Sequence, residues 1–114
     1  MPKFKSGQII SHKLFDYRGV ILKVDQTFLS TDEWYEQMAK SKPPKDKPWY
    51  HVLVHNKNHT TYVAERNLKL DDLQLDITHP LLPFYFTKIK NGVYQKTMNW
   101  EAEFPLPLNA SGEA

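Results

Sequence analysis

The sequence predicts a mainly β protein: a small SH3-like β-barrel of about five strands with one short inserted helix. Three observations predict it. Short apolar runs of strand length recur between turn signals along most of the chain. One helical signature interrupts them: Ser30-Thr31-Asp32-Glu33, followed by Trp34, Tyr35 and Met38. The segment Trp49-Tyr50-His51-Val52-Leu53-Val54-His55 then joins aromatic and β-branched residues, which suit a pleated surface. It opens at Pro48, which has no N–H for a ladder and is tolerated at a strand start.

Residues 49–55 are the expected central strand. Alternation puts Tyr50, Val52 and Val54 on one face and Trp49, His51, Leu53 and His55 on the other. The Val52/Val54 face is the expected core face. Residues 4–12 read as a first short strand, followed by a loop with Phe15 and Tyr17 as buried anchors. Gly19 allows a bend or bulge at the entry to the second strand. That strand, Val20-Ile21-Leu22-Lys23-Val24, is apolar enough to be buried on both faces at one end. A capping box from Ser30 to Glu33 starts a helix over about residues 31–40, and Pro43-Pro44 prevents its continuation. The helix is expected to cap one open end of the barrel.

Asn56-Lys57-Asn58-His59 is a hairpin tip, and residues 60–64 return antiparallel to a tight turn at 65–68. Residues 68–77 alternate acidic and aliphatic side chains and read as a surface-hugging connector. The block from Leu81 to Phe86 is expected to complete the sheet, and Asn91-Gly92 is a turn before Val93-Tyr94. Residues 1–103 are thus expected to form the barrel domain with a C-terminal extension, and residues 104–114 a flexible tail.

A chain of 114 residues is one domain by length. It has no cysteine, which excludes disulfides and thiolate metal sites and is compatible with a reducing compartment. Met1-Pro2-Lys3-Phe4-Lys5 lacks an apolar signal core, and no apolar run approaches the roughly 20 residues that span a bilayer. The expectation is a cytoplasmic protein without a membrane partner. A net charge of +2 does not by itself imply nucleic acid.

His51, His55 and His59 recur every fourth residue, but on a strand that step spans roughly 13 Å, too far for two ligands of one ion. No metal or cofactor is expected. Ser11 and His12 would point to opposite faces, and Asp71-Asp72 reads as a solvated acidic turn. No nucleophile-elbow, zinc-protease or phosphate-loop motif is present, so no enzyme is expected. Basic residues do cluster: Lys3, Lys5, Lys13, Arg18 and Lys23 early, Lys42, Lys45 and Lys47 before the central strand, and Lys88, Lys90 and Lys96 later. With Phe15, Tyr17 and Tyr94 interleaved, such a set suits phosphate contact and base stacking. The alternative is an ordinary solvated rim. The candidate nucleic-acid contacts are Lys13, Arg18, Lys42, Lys45 and Lys47.

Several stretches together resemble the HspQ, or YccV-like, hemimethylated-DNA-binding family. They are residues 4–12 (FKSGQIISH), 17–21 (YRGVI), Val24-Asp25, 46–54 (DKPWYHVLV), 62–68 (YVAERNL) and 77–80 (ITHP). Thr31-Asp32-Glu33-Trp34-Tyr35 also fits, and the likeness covers about residues 4–95. The resemblance implies an SH3-like barrel and a non-enzymatic, heat-shock-associated protein. It implies two activities, binding of hemimethylated DNA or service as a specificity factor for the Lon protease, and a homo-oligomer. It assigns no DNA-contacting residue. The recurring Gly7, Gly19, Pro48, Tyr50, Tyr62, Glu65, Asn67 and Leu68 read as scaffold, with Glu65 and Asn67 bonding a turn's backbone.

Overall fold

The computed structural model describes residues 1–97. The expected tail over residues 104–114 lies outside the described residues, as does the end of the domain from residue 98. The described elements are β1 (Ile9–His12), β2 (Arg18–Asp25), α1 (Asp32–Met38), β3 (Trp49–Val54), β4 (Thr60–Ala64), a 3-10 turn (Glu65–Asn67), β5 (Leu68–Leu70), α2 (Leu82–Tyr85), β6 (Phe86–Lys90) and β7 (Val93–Lys96). The fold is mainly β, as predicted.

Five strands form one antiparallel sheet in the order β4-β3-β2-β1-β5. Its edges, β4 and β5, are consecutive in the chain, separated only by the turn Glu65–Asn67. A flat sheet would hold its first and fifth strands about 19 Å apart at about 4.8 Å per spacing. A three-residue 3-10 turn rises only about 6 Å. The sheet must therefore be rolled until its edges meet at that turn. Among the described residues no ladder joins β4 to β5, so the roll is not closed by strand pairing.

The core follows from the roll. Ile10, Ile21, Tyr50, Val52, Val63 and Leu68 form one cluster drawn from all five strands, including both edges, so it fills the concave side. On the convex side, Trp49, Tyr62 and Ala64 pack under Trp34, Tyr35 and Ala39 of the α1 region. Ile9, Val20, Leu22 and Leu53 pack under Ile77, Phe86 and Tyr94. All six residues of β3 are consequently buried, which corrects the expectation of a single core face. For the same reason α1 lies over the outside of the sheet; it does not cap an open end.

Other expectations need correction. The first strand is shorter than residues 4–12, and Phe4 instead lies in an arm against Tyr50 with ring centroids 5.5 Å apart. The helix N-cap is Thr31, whose hydroxyl accepts from the Trp34 N–H at 3.1 Å, while the Ser30 hydroxyl is buried with no partner among the described residues. Gly19 is needed for space: a Cβ there would lie 2.6 Å from a Val52 methyl and from the Leu53 carbonyl oxygen. Residues 82–85 form the short helix α2, and Phe86 opens a separate two-stranded sheet of β6 and β7. The five-stranded sheet is complete without them. The turn between β6 and β7 is as expected, with Asn91 and Gly92 both at positive φ, the conformation of a two-residue type I′ hairpin.

The β6–β7 hairpin docks on the N-terminal arm at Gly7 and Gln8. The Tyr94 N–H donates to the Gly7 carbonyl at 2.9 Å, and Gln8 bridges Val93. Gly7 has φ of +92°, and a Cβ on it would lie 2.2 Å from the Tyr94 carbonyl oxygen. Only glycine combines that backbone angle with that approach.

Candidate nucleic-acid interface

Three candidate lysines lie on the loop between α1 and β3, and the fold fixes that loop from below. The Tyr35 hydroxyl donates to the Pro43 carbonyl at 2.6 Å, and Trp49 Nε1 donates to the Pro44 carbonyl at 3.0 Å. Both anchors are buried aromatics of the α1 cover. Above them, Lys42 Nζ lies 2.5 Å from Glu36 and 5.3 Å from the Tyr35 ring centre. Lys45 Nζ lies 3.0 Å from Asp32 and 4.4 Å from the same ring. Lys42 holds the Glu36 carboxyl below the usual carboxylate range. Lys47 is exposed and lines a small depression with Lys3, Arg66 and Glu65. Arg66 is steadied there by a 2.6 Å bond from Nη2 to the Ser41 carbonyl.

Lys13 lies on the β1–β2 loop and is placed by its backbone. Its N–H donates to the Asn67 carbonyl at 2.8 Å, beside Arg66. Arg18 does not join this group. Its Nε lies 3.1 Å from Asp71, and its Nη2 donates to the Leu75 carbonyl. Arg18 thus fastens the connector after β5. Asp71, expected to be a solvated turn residue, is buried and accepts from Ser11 at 2.6 Å and from the Gln74 N–H at 2.9 Å. Burial pushes its pKa up, but the bonds from Ser11, Arg18 and Gln74 outweigh this and hold it down. Asp72 stays exposed. Glu65 also differs from expectation: it accepts from the Lys3 N–H at 2.7 Å and the Tyr50 hydroxyl at 2.5 Å, tying the arm to β3.

A second basic group joins lysines from two clusters that are far apart in the sequence. Lys5 of the arm and Lys90 and Lys96 of the hairpin line a groove of about 770 Å³, with no carboxylate among its lining residues.

Four of the five histidines, His12, His51, His55 and His79, are structural. His51 Nε2 lies 3.1 Å from Asp25, which also accepts from Tyr62 at 2.6 Å and Lys23 at 2.9 Å. Burial raises the Asp25 pKa, yet these three bonds prevail and bring it down to about 2. His12, His55 and His79 each accept backbone amides at Nδ1: Leu14 and Phe15 for His12, Thr78 for His55 and Leu81 for His79. Burial lowers the His12 pKa to about 4, so the ring is neutral near pH 7. No cluster of three potential metal ligands occurs among the described residues. No helix among them is long and apolar enough to cross a membrane.

The fold is a rolled antiparallel sheet with charged loops above a packed core. A family model described as hemimethylated DNA-binding protein YccV like matches residues 2–93. The chain belongs to the YccV-like family, a family of binding domains.

Proposed function

We propose that this chain binds hemimethylated duplex DNA without catalysis, meeting the backbone phosphates with Lys13, Lys42, Lys45 and Lys47. The observation that carries this reading, within a family of that description, is the clamped α1–β3 loop. It holds its lysines over carbonyls fixed by buried rings, so little order is lost on binding. The ion pairs to Glu36 and Asp32 are exposed, and such pairs contribute only about 0–1 kcal/mol. A phosphate can replace either carboxylate. The test is fluorescence anisotropy with a hemimethylated duplex across a salt series. Replacing Lys42, Lys45 and Lys47 together by Glu should weaken binding by tenfold or more and lower the salt slope by about three, roughly one unit per phosphate contact. An unchanged slope would remove this loop from the interface.

A second reading, a protein-binding adaptor serving as specificity factor for the Lon protease, is favoured by one observation. Leu70 at the end of β5 and Leu73 and Leu75 on the connector are all at least half exposed. Altered substrate degradation by Lon, together with equal affinity for hemimethylated and unmethylated duplexes, would select it.

A further inference from the structure

The tip of the β1–β2 loop combines two properties that rarely coincide: it is apolar and exposed, yet fully fastened. Leu14 and Phe15 are 57% and 54% exposed. Side chains of that kind usually stand out because the backbone beneath them is slack. Here every backbone N–H of the tip has an acceptor. Lys13 donates to Asn67, Leu14 and Phe15 donate to His12 Nδ1 at 3.1 and 3.2 Å, and Asp16 donates to the His12 carbonyl at 2.9 Å. Asp16 completes the tip at φ of +57°. The His12 ring that takes two of these bonds is itself buried, with the Phe15 ring 4.9 Å away on one contact and the Tyr17 ring 5.1 Å away on another.

The fold therefore presents an apolar point on a rigid mount, with Lys13 at its base and Arg66 next to the residue that anchors it. The charged neighbours are two cations, Lys13 and Arg66, against one exposed carboxylate, Asp16, a net positive balance that matches a polyanion better than a lipid or an apolar protein face. A duplex offers such a point an apolar target in the methyl group on a base edge in the major groove, which is about 12 Å wide and admits a loop of this size.

We propose that Leu14 and Phe15 are the specificity-determining residues that contact the base methyl, while the lysines supply affinity independent of methylation. This rests on the DNA-binding reading above and adds to it which side chains discriminate. Exclusion of water from one methyl corresponds to about a fourfold preference.

The test compares hemimethylated and unmethylated duplexes of one sequence at about 0.15 M salt, where non-specific binding is damped but still measurable. The wild-type protein should prefer the hemimethylated duplex by about fourfold or more. Leu14→Ser with Phe15→Ser should bring that ratio to about one, and leave affinity for the unmethylated duplex within about threefold. Leu14→Ser alone should reduce the ratio in part; it leaves the Phe15–His12 ring contact in place, so a folding defect from losing that contact is excluded. Lys13→Ala should weaken both duplexes equally. A ratio unchanged in the double variant overturns the inference and leaves the DNA reading intact. Equal loss on both duplexes also overturns it, as does an effect confined to self-association of the protein. Absence of any duplex binding by the wild type removes the DNA reading itself, and this inference with it.

Discussion

The convex side of the sheet carries two covers, built on different principles. The α1 cover is a dense aromatic assembly. Phe28 contacts Trp34, Tyr35, Trp49 and Tyr62 with ring centroids between 4.8 and 6.0 Å, and Asp25 binds Tyr62 and His51 beneath them. The hairpin cover shares a mainly aliphatic cluster, to which it gives Phe86 and Tyr94, and it meets the arm at Gly7 and Gln8. The charges differ in the same sense. Lysines over α1 have carboxylate partners on the helix, whereas among the described residues no carboxylate pairs with Lys5 or Lys90 beside the hairpin. The first cover is held by many contacts, none of them indispensable in shape. The second has one contact, at Gly7, that tolerates no side chain. A single change at that glycine should therefore loosen the second cover alone.

The largest expected effect lies under α1. Trp49→Ala should cost about 3–5 kcal/mol, the range for deleting a large buried ring. Denaturant melts should show a lower midpoint for every probe at once, because Trp49 also belongs to the central strand. A loss under 1 kcal/mol would mean that the aromatic cover is not what holds this side. Next comes Gly7→Ala, expected to cost about 2 kcal/mol from the positive φ and the contact with Tyr94. Hydrogen exchange should show this loss in β6 and β7 while β3 stays protected. If protection falls evenly across the molecule, the hairpin is not a separable cover.

The most modest separation of the two sides is by acid. Asp25 has a folded pKa near 2, below its ordinary value of 3.8. Its stabilisation is therefore fully present above about pH 4 and is lost as pH falls through 2. Asp71, also depressed, acts in the same sense from the connector side. Asp25→Asn should flatten part of the stability decline between pH 4 and 2, and Asp71→Asn a different part, as read from urea midpoints at each pH. An acid limb indifferent to Asp25→Asn would mean that the buried carboxylate does not stabilise the α1 side.

Much of this architecture could be read from local chemistry. Pro48 with its aromatic neighbours marked β3, Asn91-Gly92 marked the type I′ turn, and the Trp34, Tyr35 and Met38 stripe marked the apolar face of α1. What escaped was set by partners distant in sequence. Asp71 and Asp72 are equivalent by residue type, and only Arg18 and Ser11 from the first strands make one buried and leave the other in water. His51 suggested a solvated face until Asp25 supplied its partner. Ser30 and Thr31 are adjacent hydroxyls before the same helix, and backbone geometry alone decides which one caps it. Of the candidate site, the loop carrying Lys42, Lys45 and Lys47 was legible as a basic run. The commitment of Arg18 to Asp71 was not, nor was the shared groove that Lys5 of the arm and Lys90 of the hairpin line.

The amide bonds taken by His12, His55 and His79 carry a consequence for what these rings can do. An Nδ1 lone pair that accepts an N–H fixes its ring as the tautomer bearing hydrogen on Nε2. On His79 that Nε2 hydrogen is directed at the His59 carbonyl, and on His12 the Nε2 atom is enclosed. Neither ring can act as a base or a ligand through Nδ1 without releasing a loop. What reads in sequence as reactive imidazole is, in this fold, a carbonyl surrogate: a ring nitrogen standing where main-chain oxygen would otherwise be required.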